Sequence, residues 1–81
     1  MVATFSHHLS IIMTTGKTIQ SLRRKAGFSQ EQLAEKCNLH RTYIGALERD
    51  EKSPTIVTLE KIVQSLNVSL SDFFLHYENM S

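Results

Sequence analysis

Two short helical patterns with only a few residues between them, within positions 29–49, constrain the fold of this chain more than any other feature. Ser29 stands three residues before Gln32, which is the spacing of a capping box, and this predicts a helix over about 30–37. Asn38 follows, and asparagine adopts the left-handed backbone conformation at which many helices end. Because the next helical pattern begins at once, the segment is predicted to be a helix-turn-helix.

Three further helical patterns surround this pair. Apolar residues recur at three- and four-residue spacing in each of them, and serine or threonine stands where an N-cap is needed. The predicted helices are one over about 15–26, one over about 30–37, one from His40 or Arg41 to Arg49, one capped by Thr55 or Thr58 and ended by Asn67, and one opened by Ser69 and Asp72. With no strand pattern and no repeat, the chain is expected to be an all-α domain of five helices.

The size and composition fit one small globular domain. The chain has 81 residues, of which 41% are hydrophobic and 21% charged, so it can bury one modest core. We expect a helix-turn-helix domain at 14–78 with a dimerising C-terminal helix, preceded by a flexible arm at 1–13. Cys37 is the single cysteine, which excludes a disulfide framework and a zinc site built from several thiolates. A cytoplasmic protein with no membrane or targeting segment is expected.

Charge is distributed unevenly along the chain. Residues 1–41 carry six Lys or Arg and two Asp or Glu, a net charge of +4, whereas residues 42–81 carry three and six, a net charge of −3. A basic front and an acidic back would orient the molecule on a polyanion such as DNA. The basic residues expected to face that partner are Lys17, Arg23, Arg24, Lys25 and Arg41.

The residues do not favour catalysis. Four histidines are present, but no nucleophile, base and orienting group share one element, and no glycine-rich phosphate loop occurs. We therefore expect neither an enzyme nor a cofactor or small-molecule substrate. His40 is expected to cap the helix that follows it.

Three stretches of the chain resemble the Xre/Cro family of phage-type repressors: GFSQEQLA at 27–34, RTYIGALER at 41–49 and SPT at 53–55. The resemblance covers about residues 15–75. The second stretch also resembles the controller proteins of restriction-modification systems, which are small Xre-type dimers. The resemblance implies a phage-repressor-like fold and a transcriptional regulator that reads the major groove of double-stranded DNA with the second helix of the pair.

The resemblance also implies roles for individual residues. Base edges would be read by Arg41, Thr42, Tyr43 and Ala46. Phosphates would be bound by Gln30, Arg49, Lys52 and Ser53, although the neighbouring Asp50 and Glu51 would repel DNA. Plainer alternatives remain open, with Gln30, Arg41 and Lys52 as solvated surface residues and Tyr43 as a half-buried core residue.

Other matched positions concern the scaffold. Arg23 and Glu48 match residues that form an internal ion pair in the family, and Asn38 and Asp50 stand where glycine is usual. Ala34 is expected to be small because the following helix crosses close to it, with Ile44 and Leu47 holding the crossing together.

The end of the chain carries more apolar side chains than one short helix can bury, namely Leu70, Phe73, Phe74, Leu75 and Tyr77. We expect Phe74, Tyr77 and Leu70 to form the interface of a twofold homodimer. Such a dimer would place two recognition helices about 34 Å apart and bind a pseudo-palindromic operator. The open alternatives are a monomer whose core takes up all five side chains, a protein-interaction module, or an antitoxin of the same fold.

Overall fold

The structure, a computed structural model, describes residues 14–79 and the side chains of residues 14–75. Five α-helices follow one another, and the described residues contain no strand. The helices are α1 (Thr15–Lys25), α2 (Gln30–Lys36), α3 (Arg41–Glu48), α4 (Ile56–Ser65) and α5 (Leu70–Asn79). The all-α, five-helix fold predicted from the sequence is confirmed, and the arm predicted at 1–13 lies outside the described residues.

Each helix begins at a side chain that accepts a hydrogen bond from a backbone N–H of the first turn, which satisfies a group that the helix itself cannot. These capping residues are Thr14, Ser29, His40, Thr55 and Ser69. The predicted capping box is confirmed, since Gln32 N–H donates to Ser29 Oγ over 3.0 Å and Ser29 N–H donates to Gln32 Oε1 over 2.8 Å. A cap of this kind stabilises a helix by about 0.5–2 kcal/mol.

Four helix ends are followed by a residue in the left-handed conformation. These residues are Gly27, Asn38, Asp50 and Asn67, with φ between 57° and 83°. After Asn38, Leu39 N–H donates to Ala34 O over 2.8 Å, which closes the turn between α2 and α3. The left-handed turn predicted at Asn38 is therefore confirmed, and Asp50, which stands where glycine is usual, adopts the same conformation.

One core joins the five helices. Its fully buried members come from α1, α2, α3, α4 and α5, and they are Ile19, Leu33, Ile44, Leu47, Ile62, Val63 and Phe73. Ala34 is 3% exposed and joins the same cluster, as predicted for the crossing of α2 and α3. The arrangement buries α3 from Ile44 to Glu48 and leaves its N-terminal residues Arg41 and Thr42 at the surface.

The start of α1 lies directly against the end of α3. A Cβ at Gly16 would stand 2.3 Å from Leu47 O and 2.7 Å from Glu48 O, so only glycine fits there. Asp50 completes this junction, because its carboxylate accepts hydrogen bonds from Gly16 N–H over 3.0 Å and from the Thr14 hydroxyl over 2.6 Å. Asp50, which the sequence suggested would repel DNA, instead ties the two helices together.

Candidate nucleic-acid interface

The N-terminal end of α3 presents exposed side chains. Arg41 and Thr42 are exposed, whereas Ile44 and Leu47 on the same helix are buried. Tyr43 is half-buried and packs against the core, which agrees with the alternative that it is a half-buried core residue. Two of the residues predicted to read bases therefore lie where a partner can reach them.

A shallow recess lies beside this end of α3. Its lining comes from α2, from α3 and from the residue after α3, namely Gln30, Arg41, Thr42, Gly45 and Arg49. A Cβ at Gly45 would stand 3.1 Å from Arg49 Nη1 and 3.5 Å from Gln30 Oε1, so these two side chains cover the glycine. The fold thus brings Gln30 and Arg49, two of the predicted phosphate ligands, to one place.

Ala46 corrects the sequence prediction. It was expected to face base edges, but it is only 7% exposed. Its neighbours Gly45 and Leu47 are buried as well, so this half of α3 is enclosed on both sides. The prediction that Ala46 reads bases is therefore wrong, because its methyl group is covered by the protein itself.

Glu48 is the buried centre of a hydrogen-bond network, with a side chain only 1% exposed. Its carboxylate accepts from Arg23 Nε over 2.7 Å and Arg23 Nη2 over 3.0 Å, and also from Gln30 Nε2 over 3.0 Å. Gln20 Nε2 reaches the same carboxylate over 3.4 Å, and Arg23 Nη1 donates to Phe28 O over 2.8 Å. The network joins α1, α2 and α3 and confirms the ion pair expected from the resemblance.

Two consequences follow for the predicted site. Arg23 is 7% exposed and engaged with Glu48, so its expected place on the basic face is wrong, while Lys17, Arg24, Lys25 and Arg41 are exposed. Gln30 uses one amide N–H inside the protein, which fixes the position of its head group. Sequence reasoning missed this role because the partner lies 18 residues away on another helix.

Arg49 and Glu51 form a second ion pair, and this one is at the surface. Arg49 Nε donates to Glu51 Oε2 over 2.8 Å and Arg49 Nη2 donates to Glu51 Oε1 over 3.1 Å. The pairing raises the pKa of the Arg49 guanidinium and lowers the pKa of the Glu51 carboxyl below its usual range. Lys52 and Ser53, the remaining predicted phosphate ligands, are exposed directly after this pair.

The predicted dimer residues fall into different environments. Phe74 is 47% exposed, whereas Leu70 packs against the core of its own chain. Leu75, which was not predicted to lie in the interface, is 54% exposed. Phe73 is buried and meets Phe74 edge to face, with ring centroids 5.4 Å apart. The Tyr77 side chain lies outside the described residues. Sequence reasoning missed two further exposed apolar residues at the start of α4, Ile56 and Val57.

Comparison with known proteins gives consistent matches. The helix-turn-helix family model HTH_3 matches residues 19–73. The immunity repressor protein of Bacillus phage phi105 is 41% identical over 59 residues, which cover 73% of this chain and 41% of the repressor. The control protein C.BamHI of Bacillus amyloliquefaciens is 38% identical over 64 residues, which cover 78% of this chain and 79% of that protein. This chain therefore spans about two fifths of the phage repressor and most of the control protein.

A solved structure extends the match to the fold. The restriction-modification controller protein C.Esp1396I, as a tetramer in complex with its natural 35-base-pair operator, superposes with a TM-score of 0.78 at 38% identity. The match covers 85% of this chain and 91% of the controller protein. Within the residues that the structure describes, no helix has the length and apolar character needed to span a bilayer.

Proposed function

The chain belongs to the Xre/Cro-type helix-turn-helix family HTH_3, and from this premise we propose that it is a transcriptional regulator that binds operator DNA sequence-specifically. The observation that carries the proposal is the exposed N-terminal end of α3, where Arg41 and Thr42 border the recess that also contains Gln30 and Arg49. A protruding helix end with a planar cation suits the major groove, where arginine binds the O6 and N7 acceptors of guanine.

Within this proposal, Arg41 and Thr42 read bases, and Tyr43 contributes only through the exposed part of its ring. Gln30, Arg49, Lys52 and Ser53 bind phosphates on either side of α3. The sign of regulation does not enter the proposal, because both activators and repressors need the same DNA contacts.

We further propose that the protein binds as a homodimer through α5, with Phe74 and Leu75 as the described interface residues; Tyr77 stays in the proposal on the sequence alone. Two large apolar side chains about half exposed on one short helix support this assignment. The tetrameric assembly of C.Esp1396I on its operator also supports assembly of copies on DNA. A twofold dimer would require half-sites about one DNA turn apart.

Selection from a pool of random duplex DNA tests the function. The wild-type protein is expected to enrich an inverted repeat whose half-site centres are about 10 base pairs, one helical turn, apart. Enriched duplexes are then compared with unselected ones by fluorescence anisotropy at one fixed salt concentration, since affinity for DNA depends strongly on salt. A protein-interaction module or an antitoxin without operator binding would enrich no motif, and that result would refute the proposal.

A further inference from the structure

The guanidinium of Arg49 is already occupied in the protein without DNA. Glu51 accepts two parallel hydrogen bonds from Arg49 Nε and Nη2, over 2.8 Å and 3.1 Å. A phosphate binds arginine through the same kind of paired contact. Glu51 therefore takes donors that a DNA phosphate would use.

The loop after α3 shows why Glu51, and not Asp50, occupies the guanidinium of Arg49. Asp50 is turned toward the start of α1, where it accepts from Gly16 N–H and from the Thr14 hydroxyl. Glu51 is directed at Arg49, whose side chain lines the recess. Both partners of the pair are more than half exposed, at 58% and 57%, so the pair can open without disturbing the core.

We propose that Glu51 is an intramolecular competitor for Arg49 that weakens the protein's affinity for DNA. The inference rests on the proposed DNA-binding function. A phosphate that binds the Nε and Nη2 edge of Arg49 has to displace the Glu51 carboxylate, and a phosphate that binds through Nη1 meets that carboxylate as a neighbouring like charge. Because an exposed ion pair is screened by salt, the competition is strongest at low ionic strength.

Glu51→Gln tests the proposal on a short duplex of random sequence, so that no operator has to be known. The variant is expected to bind about threefold to tenfold tighter at low salt, since an exposed pair and one repulsive charge are removed. Its affinity should also fall more steeply with salt, with a slope larger by about 0.9 if one more phosphate contact is gained. Glu60→Gln, which neutralises an exposed acid on α4, is the matched control and should bind within about twofold of wild type.

A double substitution tests whether the gain in DNA affinity depends on Arg49. In an Arg49→Gln background, Glu51→Gln should give a clearly smaller gain, because only the repulsion between Glu51 and the DNA is left to remove. Equal or weaker binding by Glu51→Gln, or an equal gain without Arg49, would overturn the competition while leaving the DNA-binding function intact. Failure of the wild type to bind any duplex would instead overturn both. Circular dichroism of each variant checks that the fold is retained.

Discussion

Two glycines near α3 allow the fold and the proposed DNA-binding face to be perturbed separately. At Gly16 an added methyl group would stand 2.3 Å from the carbonyl oxygen of Leu47, which is a backbone atom of α3. At Gly45 the nearest atom would be Arg49 Nη1 at 3.1 Å, the end of a flexible side chain. The first substitution must separate two helices, whereas the second has only to move one guanidinium.

The magnitudes follow from these contacts. Gly16→Ala costs about 1–3 kcal/mol for overpacking, and about 0.5–1.5 kcal/mol more if the hydrogen bond from Gly16 N–H to Asp50 is lost. The helical preference of alanine over glycine returns up to about 1 kcal/mol. We therefore expect a net loss of about 1–3 kcal/mol in the free energy of unfolding, whereas Gly45→Ala should leave stability within about 1 kcal/mol of wild type.

Urea unfolding followed by circular dichroism measures both variants at one protomer concentration, because the stability of a dimer depends on concentration. In thermal unfolding, each kcal/mol corresponds to about 4–8 °C in Tm for a domain of this size. Gly45→Ala should in addition weaken DNA binding, since it displaces Arg49. A Gly16→Ala protein as stable as the wild type would refute the close contact of α1 with α3.

Three other predictions concern single side chains. Arg41→Ala should cost about 1–3 kcal/mol in binding to a selected operator but much less on random duplexes. Lys25→Ala is the control and should not distinguish the two DNAs. Equal losses for Arg41→Ala on both DNAs would contradict base reading. Phe74→Asp should convert a dimer to a folded monomer in sedimentation at micromolar concentration, whereas Ser71→Asp should not, and a persisting Phe74→Asp dimer would exclude the α5 interface. Burial raises the pKa of the Cys37 thiol, so a disulfide reagent at mildly alkaline pH should modify it more than about tenfold slower in the native protein than in urea; equal rates would show an open core.

The helices could be predicted because their signals are local. Ser29 and Gln32 cap one helix within three residues of each other, and Asn38 ends it, so nothing distant is needed to place α2. The ion pair of Arg23 with Glu48 was expected only from the resemblance to the family, because no local signal in the sequence reveals it.

The remaining features depend on contacts between distant parts of the chain. Asp50 has its partners at Thr14 and Gly16, 36 and 34 residues earlier, so the sequence suggests only a negative charge beside the DNA. Ala46 was misplaced for a related reason. Helical periodicity places it away from Ile44 and Leu47, but every residue of α3 from Ile44 to Glu48 is buried, Ala46 included. Sequence spacing cannot show that the rest of the fold covers both sides of a helix.

The buried carboxylate of Glu48 has a consequence for how new specificities can arise. It holds α3 to side chains of α1 and α2, and it lies at the opposite end of the helix from Arg41 and Thr42. The anchoring of α3 and the proposed reading of bases therefore fall to different residues of one eight-residue helix. If Arg41 and Thr42 read bases as proposed, substitutions at these two positions would retarget the protein to other operators while the anchor stays intact, so regulators with this scaffold could diverge in specificity without passing through unstable intermediates.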